Sequence, residues 1–201
     1  MDMRNLAFDK IVNKQNKLSS DYVPDDLVNT DENENNFHHY MNPSLKPQIS
    51  ASILPFFTEM QKNAEKEGIY IIIDSGYRSY AYQQIIFHKN VEKLGYELAL
   101  KYVALPGESE HQTGYAFDVA SFRNGKYFEN KEEDEKEIVW MMNNCYKYGF
   151  ILRYPKGKEE ITGFNYEPWH YRFVGKELAK YLTENHLTME EYKKLDKRSS
   201  D

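Results

Sequence analysis

The chain has 201 residues, with 26 Lys and Arg against 32 Asp and Glu, for a formal net charge of −6. A single domain of this length buries roughly 70% of its unfolded surface, so neither a disulfide nor a metal is required merely to hold a core. The acidic balance argues against a general nucleic-acid or anionic-membrane binder, both of which need a basic field, and the single cysteine, Cys145, rules out an intrachain disulfide framework and a multi-cysteine zinc knuckle.

With 17 Tyr and 11 Phe but only 40% hydrophobic residues, core and clefts should be built substantially from aromatics, which suit small-molecule or peptide ligands. No stretch approaches the ~20 apolar residues of a membrane-spanning helix, and residues 1–27 lack a basic-then-apolar signal architecture. The expectation is therefore no integral membrane segment and a cytoplasmic location, or a cell-surface one if an export signal has been removed.

Residues 1–48 are polar and weakly periodic, with Pro24, Pro43, Pro47 and an acidic, Asn-rich run over 25–36, and read as an extended arm wrapping a domain over 49–196, with a disordered leader as the rival reading. Ile53, Phe57, Met60 and Ala64 recur at helical spacing, with Ser52 as a possible cap, Pro55 in the first turn and Gly68 as the stop. Residues 69–73 form a β-branched apolar run, a buried strand that empties into Asp74-Ser75-Gly76-Tyr77-Arg78-Ser79. Helices follow over 80–94 and 96–103, broken by Pro106-Gly107. Over 115–120 the strand alternation turns Tyr115, Phe117 and Val119 one way and Ala116, Asp118 and Ala120 the other, leaving room beside the Asp118 carboxylate. Six acids between Glu129 and Glu137 read as a solvated loop and acidic helix start, ahead of Ile138, Met141, Met142 and Cys145 at helical spacing. Strands are expected over 150–154 and 169–174, and Thr188-Met189-Glu190-Glu191 is a capping box for a last helix. With neither repeat nor linker, the fold class is a single α+β domain, a small antiparallel central sheet flanked by helices.

His111 precedes the Asp118 strand, and His170 heads another strand in Glu167-Pro168-Trp169-His170. If those strands are neighbours, two imidazoles and a carboxylate converge. Three protein ligands with one open position is the pattern of a catalytic zinc, with Glu167 as candidate base. Unlike the helical H-E-x-x-H signature, Pro168 biases Glu167 away from helix, so the remaining ligands must come from elsewhere in the chain.

Ser109-x-His111-x-x-Gly114-x-Ala116-x-Asp118, followed by Glu167-x-Trp169-His170, closely resembles the paired signature of the VanY-type zinc D-Ala-D-Ala carboxypeptidases, including the fused dipeptidase/carboxypeptidases of vancomycin resistance. Residues 75–79 with Gln83, 102–107, 149–154 and 160–163 extend the resemblance over roughly residues 69–192. It implies one zinc ion in the cleft, bound by His111, Asp118 and His170, with Glu167 as catalytic base and Arg78 polarising the scissile carbonyl. A planar, always-charged donor suits that role. The resemblance further implies that Ser109 and Gln83 hydrogen-bond the peptide, its terminal carboxylate included, and that Tyr77, Trp169 and Tyr171 form pocket walls, with Tyr77 and Tyr171 equally readable as core. The implied partner is a D-Ala-terminated peptide or peptidoglycan precursor, cleaved as a D,D-carboxypeptidase or as a combined D,D-dipeptidase/carboxypeptidase.

Alternatives are an L,D-carboxypeptidase acting on tetrapeptide stems, a phage endolysin endopeptidase, and a non-catalytic zinc-fold binding module. The retention of Glu167 beside ligands and Arg78 speaks against the last. His38 and His39 in the arm carry no expected metal role, His88 and His186 read as surface or cap residues, and Cys145 reads as a buried apolar residue.

Overall fold

The computed structural model describes residues 8–30, 46–123, 126–129 and 132–198. Residues 31–36 of the Asn-rich run, His38, His39 and Pro43 of the arm, and residues 130 and 131 of the second acidic run lie outside these. Strand β1 (Leu27–Asn29) of the arm pairs antiparallel with β2 (Gln48–Ser50), which leads into helix α1 (Leu54–Lys66). Ser52 does not cap α1. The cap position is Ile53, without a side-chain hydrogen bond, and the Ser52 hydroxyl is committed to Asp26 Oδ2 at 2.7 Å, a partner supplied by the arm. Pro55 occupies the first turn, where its missing N–H costs nothing, and Gly68 follows the helix at φ +73°.

Strand β3 (Ile71–Ser75) begins two residues later than the apolar run and reaches farther, into the polar cluster. Helix α2 (Tyr80–Leu94) matches its expected span: the Ser79 hydroxyl accepts from Tyr82 N at the first turn, and Gly95 ends it. Helix α3 (Tyr96–Tyr102) follows, and a single 3-10 turn, Glu110–Thr113, leads into the long strand β4 (Ala116–Arg123). Strand β5 (Lys126–Glu129) folds back on β4, so the start of the acidic run is strand and not loop. Helix α4 (Lys136–Asn144), strand β6 (Phe150–Leu152), the short helix α5 (Glu159–Thr162), strand β7 (His170–Phe173) and helices α6 (Lys176–Glu184) and α7 (Met189–Arg198) complete the order. The Thr188–Glu191 capping box is reciprocal: Thr188 N donates to Glu191 Oε2 at 2.8 Å, and Glu191 N to Thr188 Oγ1 at 3.2 Å.

The central sheet is antiparallel, in the order β3-β4-β7-β6, with β5 sharing β4's outer half. The fold is α+β with a small antiparallel sheet and flanking helices. Phe117 and Val119 point from β4 into the main core, where Phe57, Met60 and Ala64 of α1 meet Ile138 and Met141 of α4; burying each large side chain contributes about 1.5–3 kcal/mol. Cys145 lies in that core, its thiol pushed up to about 12 by burial. Phe8 of the arm closes one end of this core, edge-on to Tyr115 and Phe173. A second core joins Leu178, Ala179 and Leu182 of α6 to Met189 and Ile151. No described helix is long and apolar enough to cross a membrane.

Candidate metal centre and cleft

Strand register assembles the site. Asp118 of β4 lies opposite Ser75 of β3 on one side and His170 of β7 on the other, so the two strand-borne ligand candidates are direct cross-strand neighbours. The register of β3 shifts between Ile73 and Ser75, an irregularity that directs the following Gly76-Tyr77-Arg78 segment across the sheet end. Gly76 is required there: a Cβ would collide with the Gln48 carbonyl oxygen of β2. Tyr77 N donates to that same oxygen at 2.6 Å, and Arg78 N donates to the His111 carbonyl at 3.3 Å.

The three candidate ligand atoms form a tight triangle. His111 Nε2 lies 3.2 Å from His170 Nδ1 and 3.3 Å from Asp118 Oδ1, and His170 Nδ1 lies 2.9 Å from Asp118 Oδ1. Zinc bonds of about 2.0–2.1 Å at tetrahedral angles demand ligand separations of about 3.3 Å, so donor set and spacing both fit zinc with one position left for water or substrate. Glu167 Oε2 stands 3.8 Å from His170 Nδ1, and Arg78 Nη2 stands 3.8 Å from Asp118 Oδ2. No other group of three His, Cys, Asp or Glu side chains arranged to hold a metal occurs among the described residues.

The electrostatics differ sharply from residue to residue. Burial, reinforced by the Arg78 charge, lowers His111 to about 4. It is therefore neutral near pH 7, and Nδ1–H donates to the Gly76 carbonyl at 2.7 Å, which leaves the Nε2 lone pair facing the triangle. Burial also disfavours charge on His170, but hydrogen bonds to Asp118 and Glu110 outweigh it and raise the ring to about 9. Burial alone would raise Asp118, yet the two histidines hold its carboxyl well below the usual range. Glu167 is pushed up to about 7, chiefly by burial, against the opposing pull of His170. A carboxyl moved to the middle of the physiological range beside a metal triangle has the properties of a general base.

A cavity of about 310 Å³ opens over the triangle. His111, Asp118, His170, Glu167, Arg78, Ser109, Gln83 and Trp169 all border it. Tyr77 and Tyr171 do not: Tyr77 is half-buried beside β2, and Tyr171 is fully buried in the core, stacked on Phe117. The Gln83 side chain is fixed by donation from Nε2 to the Ala104 carbonyl at 2.8 Å, which leaves Oε1 buried without a partner. Arg78 Nε is likewise buried and unpartnered. His88 and His186 are exposed. The sequence reading missed the walls Tyr82, Ile86, Tyr102, Tyr154 and Phe164, whose aromatic and apolar character looks like ordinary core or helix pattern. It also missed Glu110, whose buried carboxylate contacts His170. A usable signal was present in Arg153 and Arg172, charged residues within apolar strand segments, which require a buried counter-charge.

The donor set is one that would hold zinc in a cleft with a coordination position left open. The family model described as VanY: D-alanyl-D-alanine carboxypeptidase matches residues 46–176, and the chain belongs to that family. It is 42% identical over 182 residues to YodJ of Bacillus subtilis (strain 168), covering 90% of this chain and 65% of YodJ. It is 32% identical over 193 residues to the bifunctional D-Ala-D-Ala dipeptidase and D-Ala-D-Ala carboxypeptidase VanXYC of Enterococcus gallinarum, covering 91% of this chain and 92% of that protein. A D-alanyl-D-alanine carboxypeptidase of Enterococcus faecium is 33% identical over 90% of this chain, which spans 56% of its length. Among solved structures, the LdcB LD-carboxypeptidase superposes with TM-score 0.80 at 43% identity, over 92% of this chain and 84% of that one. The vancomycin-resistance D,D-pentapeptidase VanY from a VanB-type cassette, solved with Zn(II), superposes with TM-score 0.76 at 32% identity, over 92% and 98%.

Proposed function

We propose that this chain is a zinc-dependent D-alanyl-D-alanine carboxypeptidase that hydrolyses the terminal D-Ala-D-Ala bond of peptidoglycan precursors or stem peptides. His111, Asp118 and His170 would hold one zinc ion. The observation that carries the reading is the convergence of this triangle, Glu167 and Arg78 in one cavity, each about 3 to 4 Å from the next. Bound zinc supplies Lewis acidity, lowering the pKa of water toward neutrality and polarising a carbonyl. Glu167 takes the proton from the attacking water and passes it to the amine of the departing D-alanine, so that one peptide bond and one water give a shortened peptide and free D-alanine. Arg78 donates to the carbonyl oxygen as negative charge develops there. An amide N–H of the peptide satisfies the unpartnered Gln83 Oε1, Ser109 supplies a hydroxyl to the peptide, and Trp169 forms a wall. A cavity of about 310 Å³ sits at the small end of ligand sites and fits the end of a peptide better than a long stretch of it.

The arm over 1–48 serves this catalytic unit over 49–196 as a brace, a division supported by the β1–β2 pairing and by Phe8 in the core. Cytoplasmic action on soluble precursors goes with this proposal, and fractionating cells that express the protein tests it. An L,D-carboxypeptidase acting on tetrapeptides is a second reading, favoured by the 43% identity to LdcB.

The experiment incubates the zinc-loaded protein separately with D-Ala-D-Ala, a pentapeptide ending in D-Ala-D-Ala and a tetrapeptide, and identifies products by mass. Loss of D-alanine from the pentapeptide supports the D,D reading, and loss from the tetrapeptide alone replaces it with the L,D one. No release from any of them, with wild type and Glu167→Ala alike, refutes hydrolysis. Metal analysis of His111→Ala and His170→Ala should show zinc far below one per chain.

A further inference from the structure

Glu110 contributes no atom to the metal triangle, yet its side chain is entirely buried between Ser109 and His111. Oε1 accepts from His170 Nε2 at 2.9 Å, across the ring from the Nδ1 that belongs to the triangle. Oε2 accepts from Arg153 Nε at 2.9 Å and from Arg172 Nη1 at 3.0 Å. The arginines are themselves tied to the ends of the chain. Arg153 donates to both oxygens of Glu190 on α7, at 3.0 and 2.6 Å, and Arg172 Nη2 donates to the carbonyls of Phe8 and Lys10 in the arm, at 3.0 and 2.9 Å.

We infer that Glu110 is a positioning residue for the metal centre: it fixes the His170 ring with Nε2 protonated and Nδ1 turned to the metal, and the Arg153–Glu190 and Arg172–arm contacts hold Glu110 in place. An imidazole ring has two nitrogens and one site for a metal. A buried carboxylate against Nε2 stabilises the tautomer that carries its proton there and repels the one that puts a lone pair there, so the metal-binding lone pair is Nδ1. The carboxylate must stay charged and still for this to work, and two forked guanidinium groups meet both needs where a lysine would meet only the first. Gly76 plays the same part for His111 through its carbonyl. The two ligand rings are thus set by different means, one by backbone and one by a charged hub that spans arm, sheet and α7.

The inference rests on the zinc reading, and its test separates the two. Ring-nitrogen proton–nitrogen spectra of the zinc-loaded wild type should show a slowly exchanging His170 Nε2–H, shifted downfield by its carboxylate acceptor. In Glu110→Gln the same proton should move upfield, and chelator competition should show zinc bound about 10–100-fold more weakly. Glu190→Gln, which leaves Glu110 in place, should weaken zinc in the same direction by less. A proton on Nδ1 with Nε2 bare overturns the inference, as does a folded Glu110→Gln whose zinc affinity is within twofold of wild type. Should Glu110→Gln fail to fold, the wild-type spectrum and Glu190→Gln decide, with unaltered affinity in Glu190→Gln counting against it. A wild type that binds no zinc refutes the metal reading and the metal role of Glu110 with it, whereas a zinc-loaded wild type with Nε2 bare overturns the Glu110 inference alone.

Discussion

Replacing Glu167 by glutamine should stabilise the metal-free protein in neutral and alkaline solution while removing turnover. Burial raises the Glu167 carboxyl from its ordinary 4.5 to about 7, so between those values the folded protein holds a proton that the unfolded chain has released. Folding then takes up protons, and stability falls as pH rises through that window; the full cost is present above about 7 and absent below about 4.5. At about 1.4 kcal/mol per tenfold, the interval corresponds to about 3 kcal/mol. The side chain retains 22% exposure, and solvent screening brings the expected figure to about 2 kcal/mol. For a chain of this length that is about 4–8 °C in Tm. Urea unfolding of chelator-treated wild type and Glu167→Gln at pH 5 and pH 8 reads it directly: the variant should lead by about 2 kcal/mol at pH 8 and by much less at pH 5, while its hydrolysis falls by about 10²–10⁴-fold. A gap that is the same at both pH values, or one that favours the wild type at pH 8, would refute the reasoning.

Arg78→Lys should keep its zinc and lose about 10²–10³-fold in kcat/KM, because the ammonium cannot reproduce the guanidinium fork over the carbonyl oxygen; a loss below fivefold, with metal content confirmed, argues against its role. Gly76→Ala sets a Cβ against the Gln48 carbonyl and should cost more than about 3 kcal/mol in denaturant unfolding, with β2 displaced; near-wild-type stability would show that β2 yields easily. Cys145, buried with its thiol pushed up to about 12, should resist a maleimide at pH 7 in the folded protein and react on unfolding. Rapid labelling of native protein would place it elsewhere than in the core.

The elements read most accurately from sequence are those whose stop signals are local. Helix α2 is bracketed by a capping Ser79 and by Gly95, and the start of α7 is marked by a complete capping box, so a few neighbouring residues decide each of these boundaries. His111, Asp118 and His170 became candidates through their resemblance to the family's paired signature, and the adjacency of Asp118 and His170 across two strands had to be supplied by the fold. Strand β5 was missed although its signal is local: Asn124-Gly125 between Phe122 and Tyr127-Phe128 is a hairpin pattern, overshadowed by the acids that follow. The rest of what escaped depends on distant partners. Ser52 has the chemistry of a cap, but Asp26, 26 residues away, wins its hydroxyl. Glu110 reads as one more surface acid until Arg153 and Arg172, 43 and 62 residues farther along the chain, close around it.

The same burial acts on every member of the metal triangle, and the neighbours decide what it does. His111 faces a carbonyl and Arg78 and is driven to about 4; His170 lies between two carboxylates and is driven to about 9. Near neutral pH a metal ion therefore competes with a proton at His170 and meets a bare nitrogen at His111, so acid weakens metal binding through one ring first. In the proposed reaction the triangle, Glu167 and Arg78 would act on the carbonyl and its attacking water, and not on the side chain of the residue before the scissile bond. Exchanging D for L at that residue swaps its side chain with its hydrogen and leaves the carbonyl where it was. Under that proposal, discrimination between D,D and L,D cleavage would fall to other groups bordering the cavity, among them Gln83, Ser109, Tyr82, Ile86, Tyr102 and Phe164.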